Sequence, residues 1–348
     1  MQLWNKLNKE ELEEQLRDIG HEFLTISFYK YARIANPHLF RDHLFLMWSK
    51  LEVVGRTYIA SEGINAQIAV PTKNISLFRE ELYQIDFLNG IRLNFAVDES
   101  EAEFPFLKLK IKVRNKILAD GLNDETFDVT KKGKHLNAKE FNTLTDDPET
   151  LLIDFRNHYE SEVGYFEGAI LPDVDTFRDS LPKIEKEILK GNEHKNIVMY
   201  CTGGIRCEKA SAWFKHRGFP NVHQLEGGII KYARDVKEHG IQNKFKGKNF
   251  VFDERRGERI TEEIVSICHL CGTPADTHTN CANSACHLLF IQCDKCKEKL
   301  DNCCSSECKE IFHLPIEEQK ELRKGIDNSN KIFKKGRADH LAFKRKYK

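Results

Sequence analysis

"NIVMYCTGGIRCEKASAWFKHRG" (196–218) passes from an apolar run through a cysteine and two glycines into helix formers. It reads as a buried parallel strand, a tight loop and a helix closed by Gly218. In that arrangement Cys201 lies where successive backbone N–H groups converge at the positive end of a helix. Arg206 adds a full positive charge nearby. Both effects lower a thiol pKa below its free value of about 8.5 and favour the nucleophilic thiolate. Thr202, Gly203, Gly204 and Ile205 complete the loop, and the two glycines let it curl around an anion or a planar ring. The competing reading is a small buried cysteine that merely ends a strand.

Working outward, the same α/β rhythm continues on both sides. "LLIDF" (151–155) is a second buried strand, and "NVHQL" (221–225) a third. "VDTFRDSLPKIEKEILKG" (174–191) and "GGIIKYARDVKEHG" (227–240) have helical character, Pro182 predicting a late start or a break in the first. Upstream of this region, 121–144 reads as a polar connector.

The first 120 residues have a different order. "EFLTISFYKYARI" (22–34) is strand-like. Asn36 and Pro37 open a helix whose buried face is Phe40, Leu44, Met47, Trp48 and Leu51, with Gly55 as its stop. "RTYIA" and "INAQIAV" form a hairpin around Ser61, Glu62 and Gly63. A helix near 74–86 and the strand "IRLNFAV" complete a βαββαβ, ferredoxin-like set. In "FLKLKIKVR" (106–114), Lys108, Lys110, Lys112 and Arg114 share one strand face. They suit a phosphate-tracking stripe and equally a solvated edge strand.

Nine of the eleven cysteines lie between Cys268 and Cys308. Cys268/Cys271 and Cys293/Cys296 have the C-x-x-C spacing of a tetrahedral zinc site. Cys281, Cys286, Cys303, Cys304 and Cys308 supply candidates for a second site, with His287 a possible substitute ligand. Which eight of the nine are used is open at this level. Four thiolates fill a zinc shell, so both sites read as structural.

The 348 residues suffice for two or three domains, and 40% apolar with 31% charged content describes a globular chain. Lys plus Arg and Asp plus Glu are 54 each, so net charge selects no partner. The last eighteen residues carry eight Lys or Arg against one Asp. That tail suits an anionic partner such as RNA, or a solvated terminus. No run reaches the roughly 20 apolar residues of a membrane span, and the N-terminus lacks a signal-peptide core, so a cytoplasmic location is expected.

"LLIDFRNHYESEVGYFEGAILPD", the loop Cys201–Arg206 and "LEGG" (225–228) resemble the rhodanese domain over 145–240. The resemblance implies that Cys201 is the nucleophile and that Arg206, Asp154 and Arg156 are catalytic candidates beside it, the last two either as structural or orienting charges or in a direct catalytic role. Cys207 departs from the sulfurtransferase pattern, which places a hydroxyl there; a thiol could instead act as a resolving group toward oxidised Cys201. "YIASEGINAQIA" (58–69), "FPFLKLKIKVR" (104–114), "FVFDERRG" (250–257) and "CHLCGTPADTHTNCANSACHLLFIQC" (268–293) extend the likeness from about residue 20 to 310. Together they resemble the bacterial family of oxygen-dependent tRNA uridine hydroxylases.

That family implies 5-hydroxylation of the wobble uridine in a tRNA anticodon loop, with molecular oxygen as co-substrate and Cys201 essential. No flavin or haem motif accompanies it. The expected organisation is a ferredoxin-like, acylphosphatase-like domain (1–120), a connector (121–144), a rhodanese α/β domain (145–240), a linker with the Cys-rich zinc segment (241–312) and a basic tail (313–348). A persulfide-carrying sulfurtransferase and a non-enzymatic RNA-binding regulator are the rival readings. The oligomeric state is not legible at this level.

Overall fold

The computed structural model of the chain describes residues 9–20, 22–97, 104–325 and 335–344. An amphipathic helix α1 (Lys9–Ile19) precedes β1 (Phe23–Tyr31), α2 (Pro37–Lys50), β2 (Val54–Ala60), β3 (Gly63–Pro71), α3 (Ile75–Tyr83) and the short β4 (Asn94–Phe95). The order β4-β1-β3-β2 is that of a ferredoxin-like sheet, and β5 (Leu109–Val113) adds a fifth, edge strand parallel to β2.

Asn36 caps α2 by accepting from the Leu39 N–H at 3.0 Å, and Pro37 occupies its first turn. Leu44, Trp48, Phe78 and Leu82 of the two helices pack on Ile26, Phe28, Ile59, Ile64 and Ile68. Gly55 does not stop α2, which ends at Lys50; it lies inside β2, where the backbone approaches β3 too closely for a side chain. One face of the sheet therefore carries both helices. The other presents Ser27, Tyr29, Arg56, Tyr58, Asn65 and Gln67, the alternate positions of the same strands.

The second layer system holds a parallel sheet ordered β6-β10-β9-β7. Its strands are β6 (Lys134–Leu136), β7 (Thr150–Asp154), β9 (Asn196–Tyr200) and β10 (Val222–Leu225), with β8 (Gly164–Phe166) lying outside the sheet. The segment read as a connector supplies β6, which pairs with β10, and most of α4 (Ala138–Thr145). The three-residue β6 is too short to register as an apolar run. Helices α5 (His158–Ser161), α6 (Phe177–Ile184), α7 (Ile205–His216) and α8 (Gly228–His239) complete the unit. Pro182 sits within α6, which opens into a wider turn over 185–189.

Beyond α8, β11 (Phe245–Asn249) pairs with β8 on one side and β12 (Glu258–Arg259) on the other. A small hairpin of β13 (His278–Asn280) and β14 (Leu289–Ile291) then frames the cysteine-rich segment. Of the basic terminal stretch, 331–334 and 345–348 lie outside the described residues. Residues 335–344 are not a solvated tail. Leu341 is buried beside Cys281 and Cys304, the Phe343 N–H donates to the His269 carbonyl at 3.0 Å, and Arg337 pairs with Asp173 and Asp175. Among the described residues no helix is long and apolar enough to cross a membrane.

Candidate active site

Cys201 follows β9 directly, and α7 begins four residues later at Ile205. The Gly204 N–H donates to the Cys201 sulfur at 3.2 Å. Two N–H groups at the start of α8, from Ile229 and Ile230, hold the Cys201 and Thr202 carbonyls at 3.0 and 3.2 Å. That contact accounts for the second glycine of "LEGG". Gly228 has a φ of +67°, and a Cβ there would lie 2.5 Å from both carbonyl oxygens.

Burial alone would push the Cys201 thiol up. It is outweighed by the Cys207 thiol, the Arg206 guanidinium and the N–H groups of Cys207 and Gly204, which hold the pKa down at about 6. Cys207 is equally buried, and burial together with the neighbouring Cys201 sulfur drives its own pKa well up. The pair is thus asymmetric: one thiolate and one thiol in contact.

Arg206 brings the positive charge expected from the sequence, and that charge is paired within the protein. Its Nη1 and Nη2 grip Glu160 Oε1 and Oε2 at 2.6 and 2.7 Å, and Nη2 also reaches the Thr202 hydroxyl at 3.3 Å. Glu160 is wholly buried and belongs to the Asn157–Glu160 capping box of α5. The N-x-x-E spacing after "DFR" was the available signal for it.

Asp154 and Arg156 form a fork of their own, with Nε–Oδ1 at 3.0 Å and Nη2–Oδ2 at 2.7 Å, and neither side chain is exposed. Arg156 also donates to the Gly164 carbonyl at 2.6 Å and lies over the Tyr200 ring. Neither lines the cavity described next; they sit behind the loop and tie β9, β7 and β8 together.

The helix-free face of the first sheet closes over the loop. A Cβ on Gly204 would meet the Tyr29 hydroxyl at 2.9 Å, and one on Gly203 would lie 3.8 Å from Ser27 Oγ. Between the two units is a cavity of about 330 Å³ whose walls include Cys201–Gly203, Arg206, Ser27, Asn65, Gln67, Asn94 and Phe252. Glu258 closes one side; burial pushes its carboxyl up to about 7, despite Arg255 at 2.9 Å. The docking is electrostatic as well as steric. Lys209 of α7, 1% exposed, pairs with Asp120 at 2.6 Å and Glu62 at 2.8 Å. Glu62 is therefore a clamp rather than a turn residue alone, whereas Asn65 faces the cavity. Sequence reasoning missed Tyr29, Lys209 and the polar alternation of β1 and β3; Tyr29 meets Glu208 across 179 residues and Lys209 meets Glu62 across 147.

Lys108, Lys110 and Arg114 are exposed and Lys112 is half-buried on the edge strand. Across the sheet, Arg56 stands beside Lys110 and Tyr58 beside Lys112. The crowding is unneutralised enough that Lys112, then burial and Arg56, pull the Lys110 pKa down. Arg56 borders both the cavity and a second, open one of about 460 Å³ toward the cysteine-rich segment.

The cysteines resolve into two groups of four, Cys268/Cys271/Cys293/Cys296 and Cys281/Cys286/Cys304/Cys308. Sulfur separations of 3.6 Å (Cys271–Cys293) and 3.7 Å (Cys286–Cys304, Cys304–Cys308) match the ~3.8 Å tetrahedral edge that a Zn–S length near 2.3 Å requires. Each group could hold a metal ion, and the donor set fits zinc. Cys303 and His287 fall outside both groups; Cys303 is buried in the apolar cluster with Leu288 and Phe290.

Three family models match the chain: a UPF0176 acylphosphatase-like domain over 23–117, a rhodanese-like domain over 137–235 and a rhodanese C-terminal region over 246–309. A rhodanese-like domain protein from Staphylococcus aureus superposes on 28% of this chain and 90% of its own, with a TM-score of 0.24 at 22% identity. Curated relatives are far more similar. A tRNA uridine(34) hydroxylase of Enterobacter sp. is 53% identical over 96% of this chain and 95% of its own length. One from Leptospira interrogans is 50% identical over 96% and 90%. With a rhodanese-type thiolate loop, an acylphosphatase-like sheet closing over it and identity of this extent along nearly its whole length, the chain belongs to the tRNA uridine(34) hydroxylase family.

Proposed function

We propose that this protein hydroxylates the wobble uridine of tRNA at C5, with Cys201 as the nucleophile and dioxygen as the source of the oxygen atom. The observation that carries the reading is a thiolate with a pKa of about 6 at the inner end of a cavity roofed by polar sheet residues. The cavity is about 330 Å³, within the range of small-molecule sites, and suits one base. An unpaired anticodon-loop base can leave its stack and enter such a pocket without opening a duplex.

Thiolate addition forms an S–C6 bond and shifts the electron pair of the C5–C6 double bond toward C5. C5 then bonds to an electrophilic, dioxygen-derived oxygen. Loss of the C5 proton expels the thiolate and restores the double bond. Over the whole reaction the second oxygen atom leaves as water, with two electrons and two protons from an external reductant. Arg206, held by Glu160, stabilises the thiolate each time it is released, and Asp154–Arg156 keep the loop's support rigid. The edge-strand cations Lys108, Lys110, Lys112 and Arg114 would follow the loop's phosphates. Zinc bound by the two four-cysteine groups would supply structural stability alone, since four thiolates leave no open position.

The test is nucleoside mass spectrometry of tRNA from cells lacking this protein. Loss of 5-hydroxyuridine-derived nucleosides, restored by the wild type and not by Cys201→Ala, is the expected result. Unchanged tRNA together with thiosulfate-dependent persulfide on Cys201 would replace this reading with sulfur transfer.

A further inference from the structure

We infer that the helix-free face of the N-terminal sheet is a uridylate-reading surface, in which Gln67 discriminates uracil from cytosine through an amide of locked orientation. One row of side chains crosses all five strands. Asn94 of β4 stands opposite Ser27 of β1, Ser27 opposite Gln67 of β3, Gln67 opposite Arg56 of β2, and Arg56 opposite Lys110 of β5. Read across, the row is amide, hydroxyl, amide, guanidinium, ammonium. Asn94, Ser27, Gln67 and Arg56 all line the cavity that holds Cys201. Ser27 Oγ is buried without a hydrogen bond, so the row keeps an unspent polar group beside the Gly203 position. Strands lie about 4.8 Å apart, so Gln67 and Lys110, two strands apart, are separated by about 10 Å.

The lock follows from hydrogen-bond chemistry. A backbone carbonyl can only accept, and Asn65 Nδ2 donates to the Ile117 carbonyl at 3.3 Å. Asn65 Oδ1 must then face the other way, where Gln67 Nε2 donates to it at 2.5 Å. The Gln67 amide cannot flip without opposing two oxygens, so its Oε1 and its second N–H have set positions. An acceptor beside a donor matches the N3–H of uracil beside either flanking carbonyl. Cytosine places a lone pair at N3, so the same amide meets acceptor with acceptor. A slipped pose that rescues cytosine would move C6 away from Cys201.

This inference rests on the proposed uridine substrate, and binding separates it from turnover. Stem-loop RNAs differing by U or C at the target position are titrated by fluorescence anisotropy against wild type, Gln67→Glu and the near-isosteric Gln67→Met. Cys201 thiolate absorbance reports that each fold and loop are intact. A bidentate base contact discriminates by roughly 10- to 100-fold. The expected result is a wild-type preference for the U loop of about 10-fold or more, reduced to near unity in both variants. An equal U:C preference in wild type and Gln67→Met, with the thiolate signal intact, overturns the inference. Preserved U preference in a wild type that never hydroxylates supports this inference and sinks the proposed reaction alone.

Discussion

Glu160 and Arg206, 46 residues apart, close a two-point ion pair of 2.6 and 2.7 Å beside the Cys201 loop, and both are buried. The cation that favours the thiolate is therefore held in place by an anion that also caps α5. Its position is rigid, and its charge is largely balanced within the protein.

Removing one partner leaves the other charge buried and alone. Glu160→Gln is expected to cost about 3–5 kcal/mol of unfolding free energy. It should also lower the Cys201 pKa further, because Arg206 would act on the thiolate unopposed. Urea titration and the ultraviolet thiolate signal measure the two effects, and a raised Cys201 pKa would contradict the second.

Cys201 should titrate with a midpoint near pH 6, taken as the absorbance difference between wild type and Cys201→Ser. Its folded pKa lies below that of the free thiol, so the thiolate's contribution to stability is complete above the free value. It is lost as pH falls toward 6. The stability gap between the two proteins should accordingly narrow on acidification, and a gap that widens toward pH 6 has the wrong sign.

Elemental analysis should find two zinc ions per chain. Cys303→Ser should keep both, since its sulfur belongs to neither group of four. Cys304→Ser should keep one and lower the melting temperature, as should strong chelators. Loss of metal from the Cys303 variant would reassign the ligands.

Lys209 is a bolt between the two sheets, paired with Asp120 and Glu62 across 147 residues of sequence in the latter case. Lys209→Met should destabilise the chain by about 3 kcal/mol through the two carboxylates left behind. It should also open the segment 104–133 to limited proteolysis. An unchanged cleavage pattern would show that the sheets dock without it.

Lys108→Ala, Lys110→Ala and Lys112→Ala should each weaken stem-loop binding regardless of base identity. Each should flatten the dependence of log Kd on log salt by about 0.7–0.9 if one phosphate contact is lost. A change in U:C preference instead would place these residues against the base.

Much of this molecule is written in short-range pattern. The β-branched and aromatic content of β1, the Asn36–Pro37 start of α2, the strand–loop–helix around Cys201 and the C-x-x-C pairs are each contained within a few residues. Steric and hydrogen-bond preferences act at that range, so these features can be read without knowing where the rest of the chain goes. The thiolate loop was legible for that reason, down to the low pKa of Cys201.

The partners of those features were not. Glu160 under Arg206, Tyr29 over Gly204, Asp120 and Glu62 around Lys209, and the exclusion of Cys303 from the metal groups all join segments far apart in the chain. Ion-pair strength depends steeply on distance and burial, and both are set when the two sheets close on one another. Local sequence singled out the thiolate loop, while folding chose the charges that tune it and the surface that faces it.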